Sequence, residues 1–314
     1  MLAPMADVTD TAFREIIAKY SEHGITHGGP DVFWTEFVSC DGLASKGREV
    51  LLRDLEYTKG EHPIVAQVFG AHPENFYKAG VLIRELGFDG ADINMGCPDR
   101  SVEKQGAGAA LIKNPELAKE LIAALKEGCG GLPVSVKTRV GYNKDQVDEW
   151  ISMLLGTDIA ALTIHARTRK EMSKVPARWS DVKRVVELRD GMGVKTLIIG
   201  NGDITDIRDG EEKARESGAD GVMLGRAIFG NPWLFNKNVQ VSEIPLEEKL
   251  RVMVEHTKLF EKKLGDIKNF AIMKKHYKAY VHGFDGAKEL RMELMEAVDV
   301  AGVERIIARF LAKN

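Results

Sequence analysis

The chain has 314 residues, of which 44% are hydrophobic and 29% charged, and its formal net charge at pH 7 is -3. This composition excludes disordered and strongly basic classes of protein, and no apolar run approaches the roughly 18 residues that cross a membrane. The three cysteines, Cys40, Cys97 and Cys129, cannot all pair and show no metal-ligand spacing. We therefore expect a cytoplasmic protein with free thiols, no bound metal and no membrane association.

Short apolar or β-branched runs recur along the first three quarters of the chain. In order they are Leu2–Met5, Val32–Val38, Ile64–Phe69, Gly90–Asn94, Val134–Thr138, Ala161–His165, Thr196–Gly200 and Gly221–Leu224. Helical periodicity lies between them at Thr11–Lys19, Pro73–Leu86, Pro115–Glu127, Lys144–Leu155, Asp181–Arg189 and Asp206–Ser217, and a polar loop occupies Ser21–Asp31.

This alternation of strand and helix predicts an α/β fold, a (β/α)₈ TIM barrel over residues 1–236. The first strand is either very short or lacks its start, because only Met1 and Leu2 precede Ala3-Pro4-Met5. A doubly wound open sheet is the structural alternative. It is disfavoured because no glycine fingerprint for a dinucleotide follows the first strand.

The pattern changes after residue 236, where a polar connector leads into a second region. Four helices are predicted there, at Leu246–Leu264, Ile267–Val281, Ala287–Val298 and about Val303–Ala312. We expect residues 245–314 to form a small all-helical domain. It holds 14 Lys and Arg against 11 Asp and Glu, a net of +3, whereas the preceding residues have a net of -6. This asymmetry hints at a polyanionic partner, although a solvated helical surface has a similar composition.

Polar residues and glycines follow the predicted strands at the end where a parallel barrel carries its active site. They are Pro4-Met5-Ala6, Glu36, Gln67, Asn94 with Cys97, Lys137 with Arg139, His165 with Arg167, Asn201-Gly202-Asp203, and Gly225-Arg226. Each of them alone has an ordinary explanation, such as a strand cap, a core histidine or a turn. Their common position indicates a site, because chance would scatter such residues between both ends of the barrel.

The chemistry of these residues favours a flavin nucleotide. Loops after the last two strands of this fold commonly bind phosphate, and Arg226 adds a bidentate donor there. Lys137 could stabilise an anionic ring and Gln67 could pair with an imide edge, which suits FMN better than a nicotinamide dinucleotide. Most free cysteines are simply small buried hydrophobes. Beside a flavin, however, Cys97 could donate a proton, since a thiol with a pKa of about 8.5 is protonated at neutral pH.

The motifs resemble those of the tRNA-dihydrouridine synthases. The matching segments occur in the family's order: Ala3-Pro4-Met5-Ala6 with Val8-Thr9-Asp10, Asn94-Met95-Gly96-Cys97-Pro98, Val134–Arg139, His165–Arg169, Gly200–Ile204 and Gly225–Ala227. The C-terminal region, with Met273–Lys278, is similar to the family's helical tRNA-binding domain. One residue departs from the pattern, because Asp7 stands where the family has a glycine.

The resemblance implies an FMN-dependent, NADPH-driven reduction of tRNA uridines to 5,6-dihydrouridine by a monomeric enzyme. Hydride would go to carbon 6 of the uracil and a proton would pass from Cys97 to carbon 5. The resemblance implies a cofactor site formed by Pro4, Met5, Ala6, Gln67, Lys137, His165, Asn201, Gly202, Asp203, Gly225 and Arg226. It implies substrate contacts from Asn94, Arg139, Arg167, Lys274, Lys275 and Lys278.

Two other functions are compatible with parts of the sequence. One is an FMN barrel that acts on a small molecule, of the dihydropyrimidine or dihydroorotate dehydrogenase type. The absence of iron–sulfur cysteines and the presence of a basic helical region disfavour it. The other is an RNA-binding protein that keeps the barrel as a scaffold. The presence of Cys97, Lys137 and His165 disfavours that second alternative.

Overall fold

A parallel β-sheet forms the centre of the computed structural model, which describes residues 1–25 and 28–313. Thr26 and His27, in the predicted polar loop, and Asn314 lie outside the described residues. The strands are β1 (Phe33–Trp34), β2 (Val38–Ser39), β3 (Ile64–Phe69), β4 (Gly90–Met95), β5 (Val134–Arg139), β6 (Ala161–His165), β7 (Leu197–Asn201) and β8 (Gly221–Met223). All six residues of β4 are buried, as expected for a strand covered on both faces.

The sheet closes into a barrel through the first residues of the chain. Leu2 forms a parallel bridge with Leu224, and the Ala3 N–H donates to the Leu224 carbonyl at 2.8 Å. On the other side, the Leu2 N–H donates to the Val32 carbonyl at 3.4 Å. Val32 directly precedes β1 and Leu224 directly follows β8. The segment Leu2-Ala3 therefore occupies the position of the first barrel strand, between β8 and β1. The predicted TIM barrel is thereby confirmed.

The second predicted strand, Val32–Val38, is interrupted in the structure. Trp34 lies beside Val65 and Val38 beside Val68, so this strand has one more residue than β3 over the same length. The additional residue is accommodated as a bulge, where the Thr35 hydroxyl accepts a hydrogen bond from the Gln67 N–H at 3.1 Å. A side chain therefore replaces a backbone carbonyl in the ladder.

Helices cover the outside of the sheet. They are α2 (Cys40–Leu43), α3 (Arg48–Leu52), α4 (Pro73–Glu85), α5 (Arg100–Lys104), α6 (Pro115–Cys129), α7 (Ser152–Leu155), α8 (Trp179–Met192) and α9 (Ile207–Ser217). Both α4 and α6 begin with a proline, which has no N–H to leave unsatisfied in the first turn. The helix predicted at Lys144–Leu155 starts later, as a π-helical turn over Val147–Ile151 that leads into α7.

By packing, the chain divides into two compact units that differ from the division expected at residue 236. The first unit comprises Met1–Met5, Asp31–Leu55 and His62–Arg226, and the second Ala6–Pro30, Glu56–Glu61 and Ala227–Asn314. The second unit thus includes α1 (Thr11–Tyr20). The physical reason is the packing of α1 within this unit, where Phe13 stacks on His256 with ring centroids 4.7 Å apart and Arg14 pairs with Glu61 at 2.6 Å.

The remaining helices of the second unit are α10 (Leu246–Leu264), α11 (Met273–Tyr280), α12 (Ala287–Glu296) and α13 (Val300–Leu311). The bounds of α10 are those predicted. A 3₁₀ turn, Phe270–Ile272, precedes α11, and Asn269 caps that turn. The last helix begins earlier than predicted because the Asp299 carboxylate accepts from the Gly302 N–H at 2.7 Å. Among residues 1–25 and 28–313, no helix combines the length and apolar character needed to cross a bilayer.

Candidate active site at the barrel rim

Strand register brings the predicted polar residues of the barrel together at one rim. Asn94 on β4 lies beside Lys137 on β5, and Arg139 lies beside His165 on β6. His165 in turn lies beside Asn201 on β7. Because parallel strands in a barrel end at the same face, these side chains surround a common opening.

The loop that carries Cys97 is held through its backbone. The Asn94 side-chain oxygen accepts from the N–H groups of Gly96 and Cys97 at 3.1 and 2.9 Å. The Cys97 carbonyl accepts from the Ala109 N–H at 2.9 Å. Gly108 has φ +60°, and a Cβ there would lie 2.8 Å from that carbonyl, so only glycine allows this close approach. Two segments of chain therefore fix the position of the thiol.

Burial sets the protonation state of this thiol. The Cys97 side chain is half-buried, and desolvation raises its pKa above the ordinary thiol value. A hydrogen bond from the Asp99 N–H partly opposes this rise in pKa, the Asp99 carboxylate adds to it, and the charges of Arg139 and Lys137 also lower the pKa. Cys97 is consequently a neutral thiol with a proton to give at neutral pH.

A buried carboxylate, Asp92, lies behind Gln67 and Asn94. Its two oxygens accept from Ser135 Oγ at 2.5 Å and from Gln67 Nε2 at 2.6 Å. Asn94 Nδ2 then donates to Gln67 Oε1 at 3.1 Å. Desolvation raises the pKa of Asp92 to about 6, so the group is ionised at neutral pH. The sequence analysis did not select Asp92 or Ser135; a carboxylate in the middle of an apolar strand was the available signal.

Lys137 places a positive charge inside the rim. Its Nζ donates to Asn201 Oδ1 at 3.2 Å, and Asn201 Nδ2 donates to the Met223 carbonyl at 2.7 Å. Asn201 therefore ties β5, β7 and β8 together. Burial lowers the pKa of Lys137 to about 8, which leaves most of the population charged at pH 7.

His165 is a neutral imidazole among cations. Burial holds its pKa well below the usual range, with further lowering by Arg139, Lys137 and Arg167. Arg167 Nη1 lies 3.1 Å from His165 Nε2. Because an arginine only donates, Nε2 must be the accepting nitrogen and Nδ1 carries the proton. The ring thus offers an N–H donor without adding charge.

In the predicted phosphate-binding segments, the Asp203 carboxylate bridges two arginine side chains. Asp203 accepts from Arg226 Nη2 at 2.7 Å and from the Ala177 N–H at 2.9 Å, and it forms an ion pair with Arg167. The Arg167 contact is the main reason that the pKa of Asp203 is lowered. Gly202 has φ +129°, a conformation that favours glycine. Asp203 therefore orients two arginines, and the Arg226 side chain is the exposed member of the group.

Arg139 and Arg167 were predicted to bind substrate, but both guanidinium groups make internal hydrogen bonds. Arg139 is 6% exposed and donates to the carbonyls of Gly96, Thr168 and Met172 at 2.8, 3.2 and 3.0 Å. Arg167 is 2% exposed and also donates to a backbone carbonyl. The two side chains therefore hold loops together through hydrogen bonds to backbone carbonyls. The position of the arginines at strand ends did not predict these hydrogen bonds.

A second set of residues joins the loops around Cys97 and was not anticipated from the sequence. Arg169 forms an ion pair with Glu103 of α5, with its Nε 2.9 Å from each carboxylate oxygen. The charged groups of Arg169 and Lys113 both lie over the Tyr142 ring, 5.4 and 4.5 Å from its centroid. Sequence spacing gives no signal for such contacts, since they join three different loops.

The other predicted site residues are distributed between the two units. Pro4, Met5 and Gly225 belong to the barrel unit, where a Cβ on Gly225 would lie 3.7 Å from the Met5 sulfur. Ala6 and the predicted tRNA-binding lysines belong to the helical unit. These lysines are Lys274, Lys275 and Lys278 on α11. Lys275 and Lys278 are exposed. Asp7, the residue that departs from the family pattern, lies 3.4 Å from the Lys275 ammonium.

The barrel rim therefore combines a neutral thiol, a neutral N–H donor and several fixed cations. Such a set suits an anionic ligand with hydrogen-bond acceptors along its edge. In the part of the chain that the structure describes, no three His, Cys, Asp or Glu side chains converge on a position suited to a metal ion.

Comparison with known proteins gives matches over the whole chain. A family model described as dihydrouridine synthase (Dus) matches residues 1–313. A probable tRNA-dihydrouridine synthase of Staphylococcus aureus (strain Mu50) is 41% identical over 316 aligned positions, covering 100% of this chain and 93% of the relative. Probable tRNA-dihydrouridine synthase 2 of Bacillus subtilis (strain 168) is also 41% identical, with 100% and 94% covered.

Among solved structures, the chain is similar in fold to two larger proteins. Histamine dehydrogenase from Rhizobium sp. 4-9 aligns with a TM-score of 0.54 and 13% identity, covering 82% of this chain and 48% of that one. An amine oxidase acting on 6-hydroxypseudooxynicotine, from Pseudomonas geniculata N1, aligns with a TM-score of 0.53 and 14% identity, covering 75% and 46%. At these identities the likeness supports the barrel fold alone.

Proposed function

Because the chain belongs to the dihydrouridine synthase family, we propose that it reduces specific uridines of tRNA to 5,6-dihydrouridine with FMN and NADPH. The observation that carries the proposal is the Cys97 thiol, which is neutral and fixed through its backbone at the same rim as Lys137 and His165. The prediction of an enzyme of this family is confirmed. The identities of the cofactor, FMN, and of the reductant, NADPH, are part of the proposal.

The residues at the rim fit FMN. The phosphate is a dianion, and Arg226 is an exposed cation that pairs with Asp203, the residue directly after Gly202. The ring system becomes electron-rich on reduction, and Lys137 and the His165 N–H supply a cation and a donor of the right kind. The chemistry that FMN supplies when bound is hydride transfer from NADPH to carbon 6 of the uracil.

Cys97 would complete the reduction by giving its thiol proton to carbon 5. A raised pKa keeps the proton on sulfur until carbon 5 becomes basic, which is the requirement for a general acid. The thiolate that remains is stabilised by the positive charges of Lys137 and Arg139, both of which lower the pKa of this thiol. Water then returns the proton for the next turnover.

The uridine must leave the tRNA stack to reach the barrel mouth, as in other enzymes that act on bases. We propose that Lys274, Lys275 and Lys278 of the helical unit meet tRNA phosphates, which makes the affinity dependent on salt concentration. Asn94 keeps one side-chain N–H beyond its bond to Gln67, and that N–H is suited to a uracil carbonyl.

The test is mass spectrometry of nucleosides from unmodified tRNA incubated with the purified protein, FMN and NADPH. We expect uridine to gain two hydrogens at a defined position. A yellow protein that oxidises NADPH and leaves tRNA unchanged would instead indicate a flavin enzyme acting on a small molecule. A colourless protein that binds tRNA would indicate the scaffold function and would contradict the proposal.

A further inference from the structure

The hydrogen bonds that run from Asp92 to the cysteine loop have a fixed direction. At one end, the ionised carboxylate of Asp92 only accepts, so Gln67 must present its NH₂ group there. At the other end, the peptide groups of Gly96 and Cys97 only donate, so Asn94 must present its oxygen. Between them, the Asn94 NH₂ meets the Gln67 oxygen at 3.1 Å. Each amide therefore has one orientation that satisfies both of its neighbours.

We propose that Asp92 is a positioning residue for Cys97, because its acceptor-only carboxylate sets the orientation of Gln67 and, through it, of Asn94. The inference rests on the proposed function in one respect, namely that Cys97 is the proton donor. All the intermediate groups are buried: Asp92 is 1%, Gln67 0% and Asn94 7% exposed. Water is therefore not available to replace a bond lost at Asp92 or Gln67, and a mismatch there is passed to Asn94.

The isosteric change Asp92→Asn tests whether Asp92 sets the direction of the hydrogen bonds through Gln67 and Asn94. The new amide keeps the hydrogen bond that Ser135 Oγ donates at 2.5 Å only if its oxygen faces Ser135 and its NH₂ faces Gln67. In the opposite orientation Ser135 Oγ would have to accept, and its own hydrogen would have only the Ala91 carbonyl, 3.4 Å away. In the first orientation the mismatch passes to Gln67. Gln67 must then rotate to accept, which places its own NH₂ against that of Asn94. Rotating Asn94 relieves that clash only by turning its NH₂ towards the N–H of Cys97. In that orientation one buried pair of donors faces each other wherever the mismatch stops, and in the opposite one the Ser135 hydroxyl is left with the long hydrogen bond to Ala91.

The double change Asp92→Asn with Gln67→Glu removes the mismatch. A carboxylate at position 67 accepts from the new amide at position 92 and also from Asn94 Nδ2. Asn94 then keeps its oxygen on the cysteine loop, and the number of buried carboxylates is unchanged. Ser135→Ala is the matched control, because it removes one hydrogen bond from Asp92 without altering the direction of the others.

The measurement is the rate of Cys97 alkylation by iodoacetamide, followed by peptide mass spectrometry with flavin content matched by absorbance. Cys97 is the partly exposed thiol, whereas Cys40 and Cys129 are buried. We expect Asp92→Asn to raise the rate about fivefold, which corresponds to the loss of one hydrogen bond of about 1 kcal/mol. The double variant should return to within about twofold of wild type, and Ser135→Ala should stay within the same range.

Each other outcome overturns the inference. Equal alkylation rates in wild type and Asp92→Asn would show that the carboxylate does not position the loop. If the double variant were alkylated as fast as Asp92→Asn, the direction of the hydrogen bonds would have no effect on Cys97. The same conclusion would follow if Ser135→Ala were alkylated as fast as Asp92→Asn. None of these readouts requires tRNA. Failure of the proposed function would appear separately, as wild-type protein that alkylates as expected and leaves uridine unreduced.

Discussion

Burial changes the pKa of three side chains at the barrel rim, and the three changes have different consequences. The thiol of Cys97 becomes a weaker acid, the ammonium of Lys137 a stronger one with a pKa of about 8, and the imidazole of His165 stays neutral. At neutral pH the rim therefore has a proton to donate from sulfur and a positive charge from Lys137. It has no positive charge from His165.

Replacing the thiol should abolish chemistry and spare the fold. We expect Cys97→Ala to lower the rate of tRNA reduction by roughly 10² to 10⁴, the usual value of a general acid. Dihydrouridine formed per enzyme would be measured by nucleoside mass spectrometry. Cys129→Ala, which removes a buried thiol from the C-terminal residue of α6, is the control and should retain activity. Full activity of the Cys97 variant would remove the proton-donor assignment.

Titration of Lys137 should make the rate of tRNA reduction fall on the alkaline side of its pH profile. Its pKa of about 8 means that the positive charge is present below that pH and is lost above it. We expect the initial rate of tRNA reduction to fall as pH rises through 8. Lys137→Arg keeps its charge and should move this fall to higher pH, whereas Lys137→Met should be slow at every pH. Identical profiles for wild type and the arginine variant would assign the fall to another group.

The position of the strand-end residues follows from the sequence, whereas the groups that they contact do not. Gln67, Asn94, Lys137 and His165 all lie at the rim, because parallel strands place their C-terminal ends together. Asp92 was missed because strand alternation shows which residues are buried and does not show which buried residues are paired. The inward-facing hydrogen bonds of arginine side chains depend on loop conformations that have no periodic signal.

At the scale of elements, α1, α10 and α11 enclose two buried histidines. His256 and His276 are fully buried with ring centroids 4.6 Å apart, and Phe13 lies against both rings. Their ring nitrogens have no hydrogen-bond partner among the described residues. Burial holds the pKa of His256 well below the usual range and lowers that of His276 to about 3.

The helical unit should therefore lose stability in acid. Each folded-state pKa lies below the unfolded value of about 6.5, so stability is fully present above pH 6.5 and falls below it. Each histidine should cost about 2 kcal/mol by pH 5. Urea unfolding followed by circular dichroism at several pH values would measure this. His276→Phe should flatten this dependence of stability on pH, and equal slopes in the variant and the wild type would contradict the assignment.

A buried ion pair joins α1 to the segment Glu56–Glu61. Arg14 donates to Glu61 at 2.6 Å and to two backbone carbonyls, and neither side chain of the pair is exposed. We expect Glu61→Gln to lower the free energy of unfolding by about 3 kcal/mol, because it leaves a buried guanidinium without its counter-charge. Chemical denaturation would measure the change. The surface pair Lys78–Glu74 on α4 is the control, and Glu74→Gln should change little.

Regular elements were the part of the fold that the sequence predicted best. The bounds of β3 and α10 agree residue for residue, because each has a continuous pattern between clear end signals. The break between β1 and β2 was missed, since a single inserted residue does not change the apolar character of the run. The start of α7 was misplaced because the preceding turn is π-helical, a geometry without a distinct sequence pattern.

At the scale of the whole molecule, charge is distributed unevenly along the chain. The region from residue 245 onward has a net of +3 on a protein whose total is -3. We expect Lys274→Glu with Lys275→Glu to weaken tRNA binding and to reduce its dependence on salt concentration, while NADPH oxidation is unchanged. Filter binding at several salt concentrations would measure both effects. Lys78→Glu, on α4 of the barrel, is the control; unchanged affinity in the double variant would remove the basic-helix assignment.

The assignment of α1 to the helical unit was beyond what the sequence could predict. An amphipathic pattern shows that a helix has a buried face, but it does not name the element against which that face packs. Thr11–Tyr20 follows the first strand as a barrel helix would, yet it packs with helices more than two hundred residues away in sequence. Only the three-dimensional structure shows this pairing.

This pairing has a consequence for how the protein is made. During synthesis α1 leaves the ribosome long before α10, the helix on which its apolar face rests, which begins at Leu246. At the usual rate of roughly 5–20 residues per second, the wait between the two helices lasts on the order of 10–50 s. Throughout that interval Phe13 and its apolar neighbours have no native partner from α10. The nascent chain therefore exposes the apolar face of α1 until α10 has been translated.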